Sequence, residues 1–206
     1  TLARVRDNAL FFEACTLSQK PDCSYRSVML DLARGIRDFG ELKNHVILIA
    51  KAKLNHLHLH LFDSKGICFR AESFPEESYL ENAYTVEQMK ELNSLAKLLA
   101  LEIVPEIDMP GHSEAFERAM GFNMQSAEGK VVLKKVIDEA VEVFADAPYI
   151  HIGGDEVVFD YWAQCDECQA LMKKMGYKDV EELHGYFVRR MEDIIAKQGK
   201  VMMGWD

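Results

Sequence analysis

Two adjacent acids end the most informative stretch of the sequence, residues 149–157, which reads YIHIGGDEV. The apolar part of this stretch closes with two glycines, and Asp155 and Glu156 follow directly. Because glycine permits close backbone approach and unusual dihedral angles, both acids could face one pocket. Two neighbouring carboxylates repel each other, so one tends to hold a proton and act as an acid while the other stays charged. The alternative is a helix N-terminus, where the helix dipole favours acidic residues.

A ladder of histidines offers a second kind of chemistry. His56, His58 and His60 alternate with leucines, so they share one face of a predicted strand. The residues that could converge in a zinc-type site are His56, His58, His60, His112, His151 and Asp155. Such a site would indicate a metal-dependent barrel hydrolase. The alternative is that the ladder points into a core.

The elements that must position these residues are strands and helices in alternation. Strand patterns occur at 27–32, 54–62, 101–107, 148–153 and 200–205. Helical patterns lie between them at 41–53, 85–100, 130–144 and 180–197, and Thr85 with Gln88 has the spacing of a capping box. This alternation predicts parallel β/α units. No GxGxxG or P-loop pattern follows the first strand, which argues against a nucleotide-binding sheet.

The predicted fold is therefore an α/β (β/α)8 TIM barrel, of which the chain holds about the first five βα units. Such a barrel typically needs ~250 residues, and the chain has 206. We expect residues 21–206 to be a catalytic barrel that is truncated after strand five. Residues 1–20 are expected to be the tail of a preceding element. An unusual short barrel is the alternative.

In such barrels the catalytic groups lie at the C-terminal ends of the strands. This rule selects Arg26, Asp63, Asp108, His112, Asp155, Glu156, Trp205 and Asp206. Glu106 alternates with Asp108 and is a weaker candidate. Each selected residue has a structural alternative: Arg26 could be a surface arginine, Trp205 could belong to the core, and Asp63 and Asp108 could cap the segments that follow them.

Composition excludes several classes of protein. The chain is 49% hydrophobic and 28% charged, which is globular, and its formal net charge is -10. Nucleic acid is not expected as a partner, because phosphate binding needs clustered lysines and arginines. No apolar run reaches the ~18 residues of a membrane span.

The cysteines form no dense disulfide framework. Cys165 and Cys168 form a lone CxxC, and the next histidine, His184, has no matching partner for a zinc site. Plain thiols or a local disulfide are favoured there.

Five segments resemble, in order, the signature motifs of glycoside hydrolase family 20, the β-N-acetylhexosaminidases. They are YRSVMLDLAR at 25–34, KLNHLHLHLFD at 53–63, VPEIDMPGH at 104–112, HIGGDEV at 151–157 and WD at 205–206. The resemblance covers residues 25–206. The family usually shows DDQGWR after the second strand, whereas DSKGICFR stands at 63–70, so the second acid and the tryptophan are replaced.

The resemblance implies a retaining exo-enzyme that removes terminal β-linked N-acetylglucosamine or N-acetylgalactosamine by substrate assistance. The substrate's own acetamido oxygen attacks the anomeric carbon, so the enzyme supplies no nucleophile. By the family pattern Glu156 protonates the leaving oxygen and then activates water, while Asp155 orients the acetamido N–H and stabilises the developing positive charge. Arg26 would grip the sugar hydroxyls. Trp205 would form an apolar pocket wall.

The same resemblance assigns the remaining residues and the partners. Asp63, Asp108 and His112 are expected among the substrate-binding residues, and His151 behind the acids. His112 and His151 could instead be structural histidines. Neither a metal nor a cofactor is expected, and the partners would be N-acetylhexosamine-terminated glycans or glycoconjugates. A secreted, periplasmic or lysosomal location is favoured over the cytoplasm. A non-catalytic carbohydrate-binding or pseudoenzyme barrel domain is the other alternative.

Overall fold

The fold is described from a computed structural model, which covers residues 3–12, 14–16, 18–121 and 127–206. The strands are β1 (Ala3–Arg6), β2 (Ala9–Phe12), β3 (Ser27–Asp31), β4 (His56–Asp63), β5 (Gly66–Phe69), β6 (Tyr79–Tyr84), β7 (Glu102–Ile107), β8 (Tyr149–His151) and β9 (Val201–Met203). The α-helices are α1 (Phe39–Lys51), α2 (Val86–Leu98), α3 (Glu114–Met120), α4 (Ala127–Val143), α5 (Asp160–Gln164), α6 (Asp166–Met175) and α7 (Val180–Lys197).

Five of the strands run parallel and pair in chain order, β3 with β4, β4 with β7, β7 with β8 and β8 with β9. Helices lie between successive members of this series, as in right-handed β/α units. A doubly wound sheet would instead reverse its strand order at a switch point. The sheet is therefore that of a (β/α)8 barrel through its fifth parallel strand, and the α/β barrel prediction is confirmed.

The predicted elements are present, with small differences at their ends. Helix α2 begins after Thr85, whose hydroxyl accepts the backbone N–H of Gln88 at 3.2 Å while the Gln88 side chain accepts the Thr85 N–H at 2.9 Å. The predicted capping box is thus confirmed. Helix α7 has its predicted bounds, because Asp179 caps it by accepting the Glu182 N–H at 2.9 Å.

Strand β4 is buried on both faces, as expected for a parallel strand covered on two sides. Leu57 and Leu59 on one face belong to the same hydrophobic core as Val46 of α1 and Leu92 of α2. The histidine face is also buried, as the core alternative to a metal site expected. The leucines hold the strand against the helices, and the histidines turn toward the barrel interior.

Several short elements were not predicted. Strand β5 pairs antiparallel with β4 and parallel with β6, and this pair forms an insertion between β4 and α2. Strands β1 and β2 form a hairpin, in which Asp7 and Asn8 have positive φ. Its assignment to the tail of a preceding element stays a prediction.

The CxxC segment forms a local cap. Cys165 caps α6, since its Sγ accepts the Cys168 N–H at 3.4 Å, and both residues are free thiols. No helix in the described part of the chain is long and apolar enough to cross a bilayer.

Candidate active site

One loop, which follows β8, carries both Asp155 and Glu156 to the C-terminal rim of the barrel. The loop after β8 is held from both sides, because Met109 donates its N–H to the Ile152 carbonyl at 2.8 Å and Trp205 donates its N–H to the Gly153 carbonyl at 2.8 Å. The ends of β7 and β9 thus fix the loop that precedes Asp155. Residues far apart in sequence are brought together because parallel strands end at one rim.

Glycines are required where these loops meet. Gly153 has a φ of 68°, and a Cβ there would overlap the Asp108 carboxylate. A Cβ at Gly111 would lie 2.5 Å from the Asp155 carbonyl oxygen. Gly154 donates its N–H to Asp108 Oδ1 at 3.4 Å. The two glycines of the GGDE segment therefore allow the acid loop to lie directly on Asp108.

Glu156 is supported by a chain of side chains, which we call the Asp63–His112–Glu156 chain. His112 Nε2 lies 3.1 Å from Glu156 Oε2, and His112 Nδ1 lies 3.4 Å from Asp63 Oδ2. Asp63 is fully buried, whereas the Glu156 side chain is 75% exposed. The buried carboxylate and the Ser64 hydroxyl, which is hydrogen-bonded to His112 Nδ1 at 3.4 Å, thus lie behind the imidazole that reaches the exposed acid. This is the arrangement of a base or acid held by a third group.

Asp155 has different surroundings from its neighbour. It is half-buried, and its Oδ1 is a buried atom that has no hydrogen-bond partner among the described residues. A buried carboxylate oxygen without a donor is unfavourable unless a ligand supplies one. The two acids are therefore distinct. Glu156 is exposed and contacts an imidazole, whereas Asp155 is half-buried and has a carboxylate oxygen that can still accept a hydrogen bond.

Asp108 lies beneath the acid loop and is itself nearly inaccessible, with 2% exposure. Burial, with a further contribution from the negative charge of Glu106, raises the pKa of Asp108 to about 7. Asp63 is also buried. Both predicted substrate-binding acids are thus placed at the rim, but below its surface.

Trp205 lies over a buried histidine cluster at the end of β9. Its ring is 5.4 Å from that of His58 at an interplanar angle of 25°, and 4.6 Å from that of His151. Its Nε1 donates to Glu106 Oε1 at 3.0 Å. Because Trp205 is 46% exposed, it presents an apolar surface at the rim and does not belong to the core.

Glu106, which the sequence ranked below the other acids, is the centre of this cluster. It is completely buried. Burial alone would raise the pKa of Glu106, but its contacts with the imidazoles of His151, His58 and His60 hold that pKa well below its usual range. The carboxylate is thus an anion inside the barrel, and His151 Nδ1 lies 3.3 Å from its Oε1.

Arg26 does not join the site, which corrects the sequence prediction. It precedes β3, so it lies at the N-terminal end of the strand. Its guanidinium donates to the carbonyls of Lys53 at 2.9 Å and Cys23 at 2.7 Å. Those bonds hold the arginine at the opposite rim of the barrel from Asp155.

Arg34 is the arginine that the structure brings to the site. It follows β3, and its guanidinium bonds Asp31 Oδ2 at 2.8 Å and Asp63 Oδ2 at 2.5 Å. The hydrogen bond that Arg34 donates to Asp31 raises the pKa of Arg34, and together with the charge of Asp63 it outweighs the opposing effect of burial. Applying the C-terminal-end rule to Asp31, the last residue of β3, would have selected Arg34.

Three groups of side chains have the donor types and spacing of a metal site. They are His58 with Glu106 and His151, His60 with Glu106 and Asp108, and Asp63 with Asp108 and His112. The ligand atoms within each group lie within 4.8 Å of one another. His56 and Asp155, which the metal hypothesis included, are in none of these groups of described residues, and His56 stacks instead on Tyr25 at 4.0 Å.

A parallel β/α sheet with two acids in contrasting surroundings at its C-terminal rim fits the class of glycoside hydrolases. The statistical model of the glycosyl hydrolase family 20 catalytic domain matches residues 23–130 and 117–206. The chain therefore belongs to glycoside hydrolase family 20, and the resemblance seen in the sequence is confirmed.

Related proteins agree with this assignment. The chain is similar to beta-hexosaminidases of Porphyromonas gingivalis, with 29% identity over 92% of this chain and 29% of that protein, and of Vibrio furnissii, with 29% identity over 100% of this chain and 40% of that protein. The crystal structure of the GH20 exo beta-N-acetylglucosaminidase from Vibrio harveyi in complex with N-acetylglucosamine matches with a TM-score of 0.87 and 29% identity, covering 100% of this chain and 39% of that one. The chain thus spans less than half the length of these relatives.

Proposed function

We propose that the protein to which this chain belongs is a retaining exo-β-N-acetylhexosaminidase that acts on glycans ending in N-acetylglucosamine or N-acetylgalactosamine. The observation that carries the proposal is the contrast between Glu156, held by His112, and Asp155, whose buried Oδ1 lacks a donor. The names of the relatives, beta-hexosaminidase and exo beta-N-acetylglucosaminidase, support the same substrate class.

Glu156 is proposed as the general acid and then the general base. Its exposed carboxyl can reach a glycosidic oxygen, and His112 holds it in one orientation from behind. In the first step the Glu156 proton passes to the leaving oxygen as the glycosidic bond breaks. In the second step Glu156 takes a proton from the water that attacks the anomeric carbon, so the residue ends in its starting state.

Asp155 is proposed to bind the acetamido group of the substrate. The acetamido N–H would supply the donor that its buried Oδ1 lacks. As the acetamido oxygen bonds to the anomeric carbon, positive charge develops on that group, and a fixed carboxylate beside it stabilises the charge. This mechanism needs no enzyme nucleophile, the exception to the usual two-carboxylate scheme.

The other residues are proposed to shape the sugar pocket. Arg34, whose side chain is 43% exposed, would donate to the outer hydroxyls in place of Arg26. Trp205 would pack against the apolar face of the sugar and the acetamido methyl group. Asp63 and Asp108 are buried and would hold Arg34, His112 and the acid loop rather than touch the substrate.

The proposal is tested by comparing two substrates with one leaving group. The full-length protein should hydrolyse 4-nitrophenyl N-acetyl-β-glucosaminide and not 4-nitrophenyl β-glucoside, because only the first carries the acetamido nucleophile. A thiazoline analogue of the cyclic intermediate should inhibit competitively. Equal rates on the two substrates would exclude substrate assistance, and binding without turnover of either would favour a non-catalytic carbohydrate-binding domain.

A further inference from the structure

His60 lies between two buried carboxylates that the proposed mechanism treats separately. Its Nδ1 is 2.8 Å from Glu106 Oε2, and its Nε2 is 3.4 Å from Asp63 Oδ2. All three side chains are nearly or completely buried. The imidazole therefore joins the Trp205 end of the site, through Glu106, to the Asp63–His112–Glu156 chain.

The neighbours of Glu106 indicate that His60 donates a hydrogen bond to the Glu106 carboxylate. His151 Nδ1 accepts the Gly153 N–H at 3.0 Å and lies 3.3 Å from Glu106 Oε1, a contact without the alignment of a hydrogen bond. His58 Nε2 lies 2.9 Å from Glu106 Oε2, but without the alignment of a hydrogen bond. Two aligned donors to Glu106 are the Nδ1–H of His60 and the indole N–H of Trp205.

His60 is also surrounded by negative charge. The acids that face it are Glu106 and Asp108 from the β7 side, Asp31 from β3 and Asp63 at the end of β4. Burial alone would lower the pKa of His60, but its hydrogen bond to Glu106 and these acids raise it. The two ring nitrogens thus face one carboxylate each, Nδ1 toward Glu106 at 2.8 Å and Nε2 toward Asp63 at 3.4 Å.

We propose that His60 is a positioning residue of the active site, which with Glu106 extends the Asp63–His112–Glu156 chain to five residues. This inference rests on the proposed function. Asp63 Oδ2 is shared by Arg34 at 2.5 Å, His60 at 3.4 Å and His112 at 3.4 Å. His60 opposes the pull of Arg34 and keeps this oxygen beneath His112, which in turn orients Glu156.

The backbone of His60 supports the same role. Its carbonyl oxygen accepts the N–H groups of Leu32 at 3.1 Å and Ala33 at 3.2 Å, and these residues immediately precede Arg34. One residue thus places both side chains that approach Asp63 from the β3 and β4 side, its own imidazole and the guanidinium of Arg34. No substitution of the side chain removes these backbone bonds, so a variant isolates the imidazole.

The test compares His60→Gln with His56→Gln in the full-length protein. His56 lies on the same strand face but at the opposite end, where it stacks on Tyr25 and approaches Glu102 at 3.1 Å. For His60→Gln we expect kcat on the aryl N-acetylglucosaminide to fall about tenfold to a hundredfold, as for a misplaced catalytic group, with a smaller change in KM. For His56→Gln we expect wild-type kinetics once folding is confirmed by thermal unfolding.

The pH profile distinguishes positioning from a loss of packing. Removing the His60 imidazole takes away a hydrogen-bond partner of Glu106 and Asp63 and the group whose charged form these acids favour, so the acids of the site hold protons more tightly. Both limbs of the kcat/KM profile should therefore move to higher pH by roughly half a unit or more. A variant with lower kcat and an unmoved profile would overturn the proposal while leaving the proposed function intact.

A crystal structure of His60→Gln decides the matter even if the wild-type protein shows no hydrolase activity. We expect Asp63 Oδ2 to turn toward Arg34, so that its 3.4 Å contact with His112 Nδ1 is lost while the barrel is unchanged. An Asp63–His112 contact identical in both proteins would overturn the inference. If the Gln variant does not fold, His60→Asn is used, since its smaller amide can still donate to one carboxylate.

Discussion

His112 and Glu156 face each other with Nε2 and Oε2 separated by 3.1 Å, and both residues have positive φ, 52° and 49°. For residues that are not glycine this backbone region is uncommon and costs roughly 1–2 kcal/mol. Two such residues in direct contact indicate that the loops after β7 and β8 are fitted to one another. The strain is concentrated where the proposed proton transfer takes place.

Removing the Glu156 carboxyl should have an effect that depends on the leaving group. In Glu156→Ala we expect a natural glycan to lose ~10²–10⁴-fold in rate, because its leaving alkoxide needs a proton. A nitrophenyl substrate should lose much less in the first step, since nitrophenolate departs unaided. Rates of the variant and the wild type on both substrates give the comparison. Equal losses would mean that Glu156 is not the general acid.

Replacing Asp155 should cost about the same whatever the leaving group. Asp155→Asn preserves the shape of the side chain but removes the charge that would stabilise the cationic intermediate. We expect a loss of about 10²–10³-fold on the glycan and on the nitrophenyl substrate alike. The same two assays measure it. If Asp155→Asn shows the strong leaving-group dependence expected of Glu156→Ala, the two roles must be exchanged.

The two arginines provide a matched pair. Arg34→Lys keeps the charge but cannot maintain both bonds, to Asp31 and Asp63, in the same geometry. We expect kcat/KM to fall about 10–100-fold, which is the loss expected when one hydrogen bond to a charged group is removed. Arg26→Lys at the opposite rim should leave kcat/KM unchanged, although it can reduce thermal stability. A loss of activity in Arg26→Lys alone would restore the sequence-based assignment.

The free energy of unfolding should fall as the pH rises, because the buried Asp108 carboxyl ionises. Burial raises its pKa from 3.8 to about 7, so folding favours the neutral form. This contribution to stability is complete below the unfolded value and is lost as the pH rises through about 7. Between pH 5 and pH 8 the wild type should lose about 2–3 kcal/mol of unfolding free energy more than Asp108→Asn, which cannot ionise. Urea unfolding at both pH values measures the difference.

If the two proteins lose stability in parallel between these pH values, Asp108 is ionised throughout. The hydrogen bond from Gly154 would then be stabilising the carboxylate against the effect of burial.

The order of the parallel strands could be predicted because their patterns are local. The alternation of His56, His58 and His60 with leucines and the capping box at Thr85 each lie within one segment. Strands β5 and β6 were not predicted. Strand β5 has only four residues, too few to show a period, and its pairing with β4 is set by tertiary contacts. Short strands of this kind depend on their neighbours more than on propensity.

The sequence was enough to select many of the candidate residues, but not to predict which of them contact one another. Asp155, Glu156 and Trp205 could be selected because each follows an apolar strand pattern. Arg34 was missed because Arg26 was selected, although Arg26 precedes the strand pattern at 27–32 and Arg34 follows it. The contact between Asp63 and His112 joins residues 49 positions apart and depends on positive φ at His112, which local sequence does not reveal.

The bond between Trp205 and Glu106 also gives the protein an optical reporter. The chain has two tryptophans. Trp162 in α5 is buried, with 2% exposure, whereas Trp205 is half-exposed and packs on the imidazoles of His58 and His151. Imidazole rings in van der Waals contact quench indole emission, and a sugar lying on the opposite face would change both the quenching and the access of water. Occupancy of the pocket should therefore change the emission of Trp205, and comparison with Trp205→Phe separates that change from the emission of every other tryptophan.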